Sequence, residues 1–234
     1  MEVYQKKLSV GPEGLSTGDL FRALQDAAGE QSTQYGQGEL DLKDKGLMWV
    51  VIRYQIQADR WPAAGEKLLL ETWPGAVRHG MMPRYYRLTD ATGDECLHGC
   101  GIWAVVDRSS RKMVNPEEHG VTLEALVTGR EVPLPRPLRK QETTESGEFT
   151  VPAEYLDSNG HMNNTRYYDM AEACIGRSAR SHGLRQVCTE HLTEALCGEK
   201  LRLHWGGEGE RFYISGEAGD TAIFRMLLEY KKEL

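Results

Sequence analysis

Hydrophobic residues recur along two stretches of the chain at the spacing that one face of an α-helix requires. In the first stretch the apolar positions are Leu20, Phe21, Leu24, Ala27 and Ala28. Intervals of three and four residues place them on one side of a helix. Ser16 can accept from the first free N–H groups, and Gly36 can end the helix in the left-handed conformation. The pattern therefore predicts a helix between these two residues.

The second helical stretch has the same spacing. Its apolar positions are Tyr167, Met170, Ala171, Cys174 and Ile175. Asn163 and Asn164 are its candidate N-caps, because a short amide side chain can accept from free backbone N–H groups. The pattern predicts that this helix continues to about His182 and Gly183.

Alternating or continuous apolar residues predict strands elsewhere in the chain. An opening strand and turn are predicted at 1–14, and a strand at 149–155 precedes the second helix. After the first helix the predicted strands are 49–57, 66–73, 82–90 and 96–107. After the second helix they are 187–195, 199–205, 211–216 and 221–230. In the strand 49–57, one buried face is expected to carry Val50, Ile52, Tyr54 and Ile56.

The order of one strand, one helix and four strands occurs twice, which predicts an internal duplication. Gly65-Glu66-Lys67-Leu68 recurs as Gly198-Glu199-Lys200-Leu201 at the same place in the second copy. One helix with several antiparallel strands is typical of an α+β sheet that wraps around its helix. We predict two such halves, at residues 1–110 and 148–234, joined by a linker at 111–147 that is rich in proline and charge.

Composition narrows the classes of function. Apolar residues make up 40% of the 234 residues, and the formal charge is −7. An acidic chain without a basic run argues against nucleic-acid binding. No run reaches the roughly 20 apolar residues of a membrane-spanning helix. The N-terminus lacks the charged-then-apolar order of a signal peptide, so a soluble cytoplasmic protein is expected.

The cysteines predict no special chemistry. Their number is five and their positions are scattered, so no disulfide framework is expected. Cys96 and Cys100 are spaced like neither a zinc site nor a redox pair, and no second pair completes a metal site. Buried thiols, no metal and no cofactor are the prediction.

Candidate chemistry is concentrated in residues 157–161, directly ahead of the second helix. Free N–H groups at a helix start favour negative charge that develops on a nearby carbonyl. When the turns of the two halves are aligned, His161 faces Leu15 and Asn159 faces Glu13. If these polar residues served only the fold, both halves would need them. Asn159 and His161 are therefore predicted to be functional.

The run at 157–167 resembles the signature of acyl-acyl-carrier-protein thioesterases, the fatty-acid-releasing enzymes of plants and bacteria. Segments of the first half resemble the same family. They are Leu24-Gln25-Asp26-Ala27-Ala28-Gly29-Glu30, Trp49-Val50-Val51, Thr72-Trp73-Pro74, and Trp103 followed by Asp107. The similarity covers nearly the whole chain. It implies a tandem hot-dog fold, in which two sheets each wrap around a long helix and pack as a pseudo-dimer.

The resemblance also implies a set of site residues. The catalytic candidates are Asp157, Asn159, His161 and Glu194. Plant members often carry Cys directly after the last of these, whereas this chain has Ala195, which disfavours a Cys–His mechanism at that position. An apolar tunnel for the acyl chain is expected in the first half. Its candidate lining residues are Trp49, Val51, Trp73, Met81, Met82 and Trp103.

The expected reaction is hydrolysis of a fatty acyl–acyl-carrier-protein thioester, which would release the free acid and end chain elongation. Glu194, with or without His161, would take a proton from water. Asn159 and helix N–H groups would polarise the carbonyl, and Asp157 would orient the imidazole ring or the loop. Direct attack by Glu194 or Asp157 through an anhydride stays open.

Other functions also stay open at this point. An acyl-CoA thioesterase, a dehydratase that uses His and an acid, and a non-hydrolytic acyl-binding protein could all be built on this fold. The Asn-x-His-x-Asn-Asn run favours the thioesterase. The acyl carrier protein is the expected partner, and the chain is expected to be a monomeric pseudo-dimer or a homodimer.

Overall fold

The computed structural model describes residues 1–232. The helices in this part of the chain are α1 (Thr17–Gln34), α2 (Glu39–Asp44), α3 (Arg166–Ile175) and α4 (Ala179–His182). The strands are β1 (Tyr4–Ser9), β2 (Leu47–Ala58), β3 (Lys67–Pro74), β4 (Met81–Asp90), β5 (Glu95–Asp107), β6 (Met113–Val114), β7 (Glu145–Thr150), β8 (Leu184–His191), β9 (Lys200–Glu208), β10 (Arg211–Ala218) and β11 (Thr221–Tyr230). The predicted α+β class is confirmed. Within residues 1–232, no helix combines the length and the apolar character that crossing a membrane would need.

The strands form one antiparallel sheet with the order β1-β3-β4-β5-β2-β8-β11-β10-β9-β7, and β6 pairs with β5. Counted outward from the junction of β2 and β8, the strands of the two halves follow the same order. Strand β8 therefore corresponds to β2, and β11 corresponds to β5. The predicted repeat of strand, helix and four strands is confirmed. The two sheets expected from the sequence are continuous, because β2 pairs directly with β8.

The junction of the halves has local two-fold symmetry. Gln55 on β2 pairs with Cys188 on β8. The offset that relates Gly65 to Gly198 also relates Gln55 to Cys188, so each of these two residues pairs with its own counterpart. This is the self-complementary arrangement of a two-fold interface, made here within one chain.

Equivalent backbone contacts in the two halves confirm the duplication at atomic detail. In the first half, the N–H of Gly65 donates to the carbonyl of Val10 at 3.0 Å. In the second half, the N–H of Gly198 donates to the carbonyl of Val151 at 2.8 Å. Both glycines have positive φ, of 81° and 76°, which glycine adopts without the steric cost that a Cβ imposes.

A shared core joins the two helices to the sheet. The rings of Phe21 on α1 and Tyr168 on α3 stack with centroids 3.9 Å apart. Tyr54 of β2 meets Phe21 edge-on at 5.0 Å. All three side chains are almost completely buried, and such aromatic pairs stabilise a core beyond the area they bury. The core is therefore continuous across the two halves.

The second helix is shorter than predicted. It ends at Ile175, because Gly176 adopts φ of 66°, and α4 is a separate turn that begins after Ser178. Asn163 does not cap α3, whose N-cap is Thr165. Instead, Oδ1 of Asn163 accepts from the N–H of Thr165 at 2.9 Å and forms a turn ahead of the helix.

The predicted alternation of β2 is wrong at its start. An irregularity between Val51 and Arg53 removes Ile52 from the regular pairing. As a result Val51 and Tyr54 are buried in the shared core, whereas Ile52 packs on a separate cluster and Val50 is only half-buried. One extra residue in a strand shifts the in–out alternation by one position, so the side chains before it point to the face opposite to the one expected.

Two other strands also end earlier than predicted. β7 stops at Thr150, because Pro152 lacks an N–H and begins a short 3₁₀ turn at Ala153–Tyr155. β8 stops at His191, so Glu194 lies in the loop between β8 and β9.

The segment between β6 and β7 has one short 3₁₀ turn, at Glu117–His119, and otherwise runs across the sheet face opposite the shared core. Leu138 packs on Cys188, and its N–H donates to Glu190 at 3.1 Å. Glu190 is 3% exposed and also pairs with Arg53 at 2.8 Å across the junction. The segment therefore covers charged and apolar groups of both halves. The division of the chain at residues 110 and 147 stays a prediction.

Two glycine substitutions test how tightly the sheet is packed. A Cβ on Gly99 would lie 2.3 Å from the carbonyl oxygen of Gln55, so Gly99→Ala should destabilise the fold by about 1–3 kcal/mol. A Cβ on Gly29 in α1 would have no described neighbour within 4 Å, so Gly29→Ala should stabilise it by about 0.5–1 kcal/mol. Urea unfolding of both variants measures the difference. Equal free energies of unfolding would contradict the packing described for β2 and β5.

Candidate active site

Asp157 shapes the loop that precedes α3. Its Oδ1 accepts from the backbone N–H of Asn159 at 2.8 Å and of His161 at 3.3 Å. The backbone N–H of Asp157 donates to the carbonyl of His161 at 2.8 Å. Gly160 has φ of 82°, as Gly14 has 78° in the corresponding turn of the first half. Of the two roles open for Asp157, these contacts support orientation of the loop.

His161 and Glu194 lie next to each other. Nε2 of His161 is 3.2 Å from Oε2 of Glu194. An isolated backbone bridge between His161 and Leu196 holds the two loops together. The imidazole side chain is 9% exposed, whereas the carboxylate side chain is 36% exposed. An imidazole and a carboxylate at this distance can share a proton and serve as a general acid–base pair.

The first half has an equivalent corner, defined here as the turn ahead of the helix together with the loop that packs on it. The two corresponding positions are also in contact there, but through different groups. Trp61 is the counterpart of Glu194, and Leu15 is the counterpart of His161. Nε1 of Trp61 donates to the carbonyl of Leu15 at 2.8 Å. The duplicated fold therefore brings these two positions together in both halves. Only the second half places titratable groups there.

Asn159 is oriented by an arginine of the first half. Nη1 of Arg108 donates to Oδ1 of Asn159 at 2.8 Å. A guanidinium group can only donate, so the atom that faces it must be the amide oxygen. The amide Nδ2 has no other partner in the described part of the chain, and Asn159 lines a cavity. The amide is thus free to donate to a bound carbonyl oxygen.

A second arginine of the first half contacts the catalytic candidates directly. Nη1 of Arg111 donates to Oε1 of Glu194 at 2.9 Å, and Nη2 lies 3.2 Å from Nε2 of His161. Its Nη1 is also 3.8 Å from the sulfur of Met48. Arg111 is 49% exposed, so the ion pair with Glu194 is open to solvent.

Both arginines belong to the turn 107–111, at the end of β5. Oδ1 of Asp107 accepts from the N–H and the hydroxyl of Ser110, at 2.7 and 2.8 Å, and from those of Ser109, at 3.2 and 2.7 Å. These hydrogen bonds lower the pKa of Asp107 to about 2, with the Ser110 N–H the largest contributor. Arg111 has φ of 56°, a left-handed conformation that is uncommon outside glycine.

Sequence reasoning missed Arg108 and Arg111. Asp followed closely by two Ser predicts a tight turn, but it does not predict what the turn faces. The reason is topological. β5 and β8 both run antiparallel to β2, which lies between them, so their C-terminal ends reach the same edge of the sheet. This brings the turn 107–111 to the loop that carries Glu194.

A cavity of about 570 Å³ extends from this loop along α1. The loop contributes Asp157, Asn159, Asn163 and Asn164 to its lining, and the tunnel candidates Trp49, Val51, Met82 and Trp103 also line it. The volume is in the usual range for small-molecule sites. The lining does not include His161 and Glu194. They connect to it through Arg111, which contacts the lining residue Met48.

Two tunnel candidates lie elsewhere. Trp73 is 1% exposed and packs with Tyr85 and Ile102 in a separate cluster, which also includes Met81. This cluster is covered by the segment that follows β6, and Nε1 of Trp73 lies 3.3 Å from Glu131. Met81 and Met82 are neighbours on β4, so their side chains point to opposite faces of the sheet. The structure therefore does not bring Trp73 and Met81 to the cavity.

The cavity lining also includes a buried arginine. Arg84 is 4% exposed, and burial lowers the pKa of its guanidinium. It contacts three neutral groups: Gln31 Oε1 at 2.5 Å, Ser32 Oγ at 3.3 Å and Thr72 Oγ1 at 3.4 Å. Gln31 and Ser32 lie in the last turns of α1, where the helix dipole favours a positive charge. Arg84 thus ties α1 to the sheet.

The helix N–H groups expected to polarise a carbonyl are not at the cavity. Its lining from this region ends at Asn164, before α3 begins at Arg166. The N–H of Thr165 is already satisfied by Asn163. Asn159 is therefore the polar donor of the predicted set that reaches the cavity.

The prediction of buried thiols is confirmed for Cys96, Cys100 and Cys188 and is wrong for Cys197. Cys188 is 9% exposed and burial raises its pKa, as burial also does for Cys100, to about 12. Cys197 is exposed and lies between Leu196 and the start of β9. Residues 1–232 contain no group of three or more His, Cys, Asp or Glu side chains placed to hold a metal ion.

Family models match most of the chain. The model of the acyl-ACP thioesterase N-terminal domain matches residues 13–121, and that of the acyl-ACP thioesterase C-terminal domain matches residues 138–221. The two matched segments correspond to the two halves of the duplicated fold.

Individual proteins give a consistent result. The chain is 26% identical over 66% of its length to a chloroplastic palmitoyl-acyl carrier protein thioesterase of Gossypium hirsutum, and it covers 39% of that protein. It is 27% identical over 83% of its length to a chloroplastic dodecanoyl-[acyl-carrier-protein] hydrolase of Cinnamomum camphora, and it covers 56% of that protein. It thus spans about half the length of these relatives. A crystal structure of an acyl-ACP thioesterase from Bacteroides thetaiotaomicron has the same fold, with a TM-score of 0.86, 21% identity and 98% coverage of both chains.

Substitution of the two neighbouring methionines of β4 tests the prediction that the cavity is an acyl tunnel. Met82→Trp should fill part of the cavity and weaken binding of long saturated fatty acids by about tenfold, or 1.4 kcal/mol. Met81→Trp makes the same change on the opposite face and should leave the affinity unchanged. Displacement of a fluorescent fatty acid measures both. Equal weakening by the two variants would place the acyl chain outside this cavity.

Proposed function

Because the chain belongs to the acyl-ACP thioesterase family, we propose that it hydrolyses the thioester of a fatty acyl–acyl carrier protein and releases the free fatty acid. The observation that carries the proposal is the contact of Nε2 of His161 with Oε2 of Glu194, at 3.2 Å. Asn159, two residues before His161 in the chain, lines a cavity with the volume of a small-molecule site and has its amide oxygen held by Arg108.

The His161–Glu194 pair would activate water. Water is a poor nucleophile at neutral pH, and a base within hydrogen-bond reach contributes about 10²–10⁴-fold to such reactions. The water oxygen bonds to the thioester carbon as its proton passes to the pair. The carbon–sulfur bond then breaks, and the leaving sulfur receives that proton. The products are a carboxylic acid and the free thiol of the carrier.

Asn159 would stabilise the charge that develops on the carbonyl oxygen. Its amide oxygen is held by Arg108, so its Nδ2 is the group left to donate. A donor already aimed at an oxyanion needs no reorganisation during the reaction, and one such donor contributes roughly 3–4 kcal/mol. In this assignment Asn159 acts mainly in the transition state.

The contacts of the carboxylates favour attack by water over attack by a side chain. Oδ1 of Asp157 accepts two backbone N–H groups and is committed to the loop. Oε1 of Glu194 accepts from Arg111 at 2.9 Å and its Oε2 lies 3.2 Å from Nε2 of His161, so both of its oxygens already have partners. Within residues 1–232, no hydrogen bond joins the thiol of Cys197 or Cys188 to an imidazole or a cation, and burial raises the pKa of Cys188, so a thiol nucleophile is not supported.

The carrier protein is the proposed partner, because it presents the acyl chain to the relatives as their names describe. Acyl-CoA is the second candidate carrier, since it offers the same thioester. The fold by itself does not distinguish hydrolysis from dehydration or acyl binding. The cytoplasmic location and the choice between monomer and homodimer stay predictions.

Release of free thiol from a panel of thioesters tests the activity. We expect turnover of acyl–acyl-carrier-protein substrates, with a preference for one range of acyl length, because the cavity has a finite volume. Turnover restricted to acyl-CoA would assign the second carrier. A complete lack of thiol release from both carriers would overturn the proposal.

Four substitutions test the assigned residues. His161→Ala should lower kcat by about 10²–10⁴-fold, because the base is removed. Asn159→Ala should lower it by about 10²–10³-fold, because the oxyanion donor is removed. Cys188→Ala and Cys197→Ser are the controls and should retain turnover. Circular dichroism checks folding of each variant. If His161→Ala were as active as the unaltered protein, the site would lie elsewhere.

A further inference from the structure

We propose that the turn 107–111 of the first half is the positioning element of the active site, with Arg111 holding the His161–Glu194 pair and Arg108 holding Asn159. The inference rests on the proposed function, because it assigns how that site is aligned. The inference also extends the proposed function, because it assigns a role to residues of the first half, whereas all of the assigned catalytic residues belong to the second half. In this arrangement neither half has a working site alone.

Arg111 contacts both members of the pair at once. Its Nη1 donates to Oε1 of Glu194 at 2.9 Å, and its Nη2 lies 3.2 Å from Nε2 of His161. A planar guanidinium with parallel N–H groups fixes two acceptors relative to each other, which a lysine cannot do. It therefore sets the distance and the angle between carboxylate and imidazole.

The geometry also limits what Nε2 of His161 can do. The contact with Arg111 needs a lone pair on this nitrogen, because a guanidinium N–H only donates. The contact with Glu194 Oε2, also at 3.2 Å, needs a hydrogen on it. One nitrogen cannot serve both at the same time. When water gives its proton to Nε2, the ring exchanges Arg111 for Glu194 as partner without a large movement.

Arg108 performs the matching task on the other side of the turn. By donating to Oδ1 of Asn159 it excludes the flipped amide, in which Nδ2 would face the guanidinium. Its own backbone N–H donates to the carbonyl of Gly46 at 2.9 Å, next to β2. The turn 107–111 thereby aligns both the His161–Glu194 pair and the amide donor of Asn159.

Hydrogen bonds within the turn 107–111 fix its backbone conformation. Asp107 accepts four hydrogen bonds from Ser109 and Ser110, and the N–H of Arg111 donates to the carbonyl of Asp107 at 2.9 Å. Arg111 keeps a left-handed φ of 56°, which costs free energy in a residue with a Cβ. Residues held in such conformations cluster at functional sites.

A purely structural ion pair is the alternative. An exposed pair such as Arg111–Glu194 contributes little to folding stability, usually below about 1 kcal/mol. Removal of Arg111 should therefore leave the unfolding temperature nearly unchanged, so that any loss of activity comes from alignment. The two roles are separable by experiment.

Arg111→Met tests the proposal, with Lys112→Met as the matched control. Lys112 is the next residue, is exposed and carries the same charge, but makes no described contact with the pair. Arg111→Met should lower kcat by roughly 10–100-fold with little change in KM, since misplacement of ~1 Å has effects of this size. Arg111→Lys should recover part of the loss, and methylguanidinium ions should partly restore Arg111→Ala. Lys112→Met should behave like the unaltered protein.

Arg108 is tested by a double-variant cycle. Arg108→Met should lower kcat when Asn159 is present and should have no further effect in an Asn159→Ala background, because both act through one amide. Independent losses that multiply would remove Arg108 from this role. For Arg111, unchanged or increased kcat in Arg111→Met would overturn the proposal, as would an equal loss in Lys112→Met.

One readout does not depend on turnover. The ¹⁵N chemical shift of the His161 side chain should change in Arg111→Met and not in Lys112→Met, because only Arg111 contacts Nε2. If no thioester is hydrolysed but this shift responds, the proposed function fails and the positioning contact stands. If thioesters are hydrolysed and neither the shift nor kcat responds to Arg111, the inference fails alone.

Discussion

The pairing of β2 with β8 is the interaction on which the rest of the structure depends. It joins the two halves through a self-complementary junction centred on Gln55 and Cys188. It makes one continuous sheet and lets α1 and α3 share a core through the Phe21–Tyr168 stack. Since β5 and β8 flank β2 in the same direction, the junction also brings the end of one half to the site of the other.

The duplication produces two equivalent corners, each ahead of a helix, and the corner of the second half is the one that carries a pair of titratable side chains. In the first half the corner is closed by Trp61 donating to the carbonyl of Leu15. In the second half His161 and Glu194 occupy the same positions. The backbone of the corner is therefore a property of the fold, whereas the side chains determine whether it holds a hydrogen bond from an indole ring or a titratable pair. The first half instead supplies most of the cavity and the turn 107–111.

The sequence predicted the repeated order of elements correctly, because hydrophobic spacing is a local property. It was less accurate where tertiary packing overrides local preference. The irregularity in β2 moves Ile52 out of the core, and Gly176 ends α3 early. It also assigned Trp73 and Met81 to the tunnel, because it could not show that the segment after β6 covers the opposite face of the sheet.

By itself the sequence determined that the chain is a duplicated α+β protein and that the turn ahead of the second helix carries two polar side chains, His161 and Asn159, that the corresponding turn of the first half lacks. Those conclusions follow from spacing and from a comparison between halves, which need no coordinates. Only the tertiary structure decided which groups face them. Arg108 lies 51 residues from Asn159 in sequence, and Arg111 lies 50 residues from His161 and 83 from Glu194. Strand order alone brings such distant residues together, and no local pattern encodes strand order.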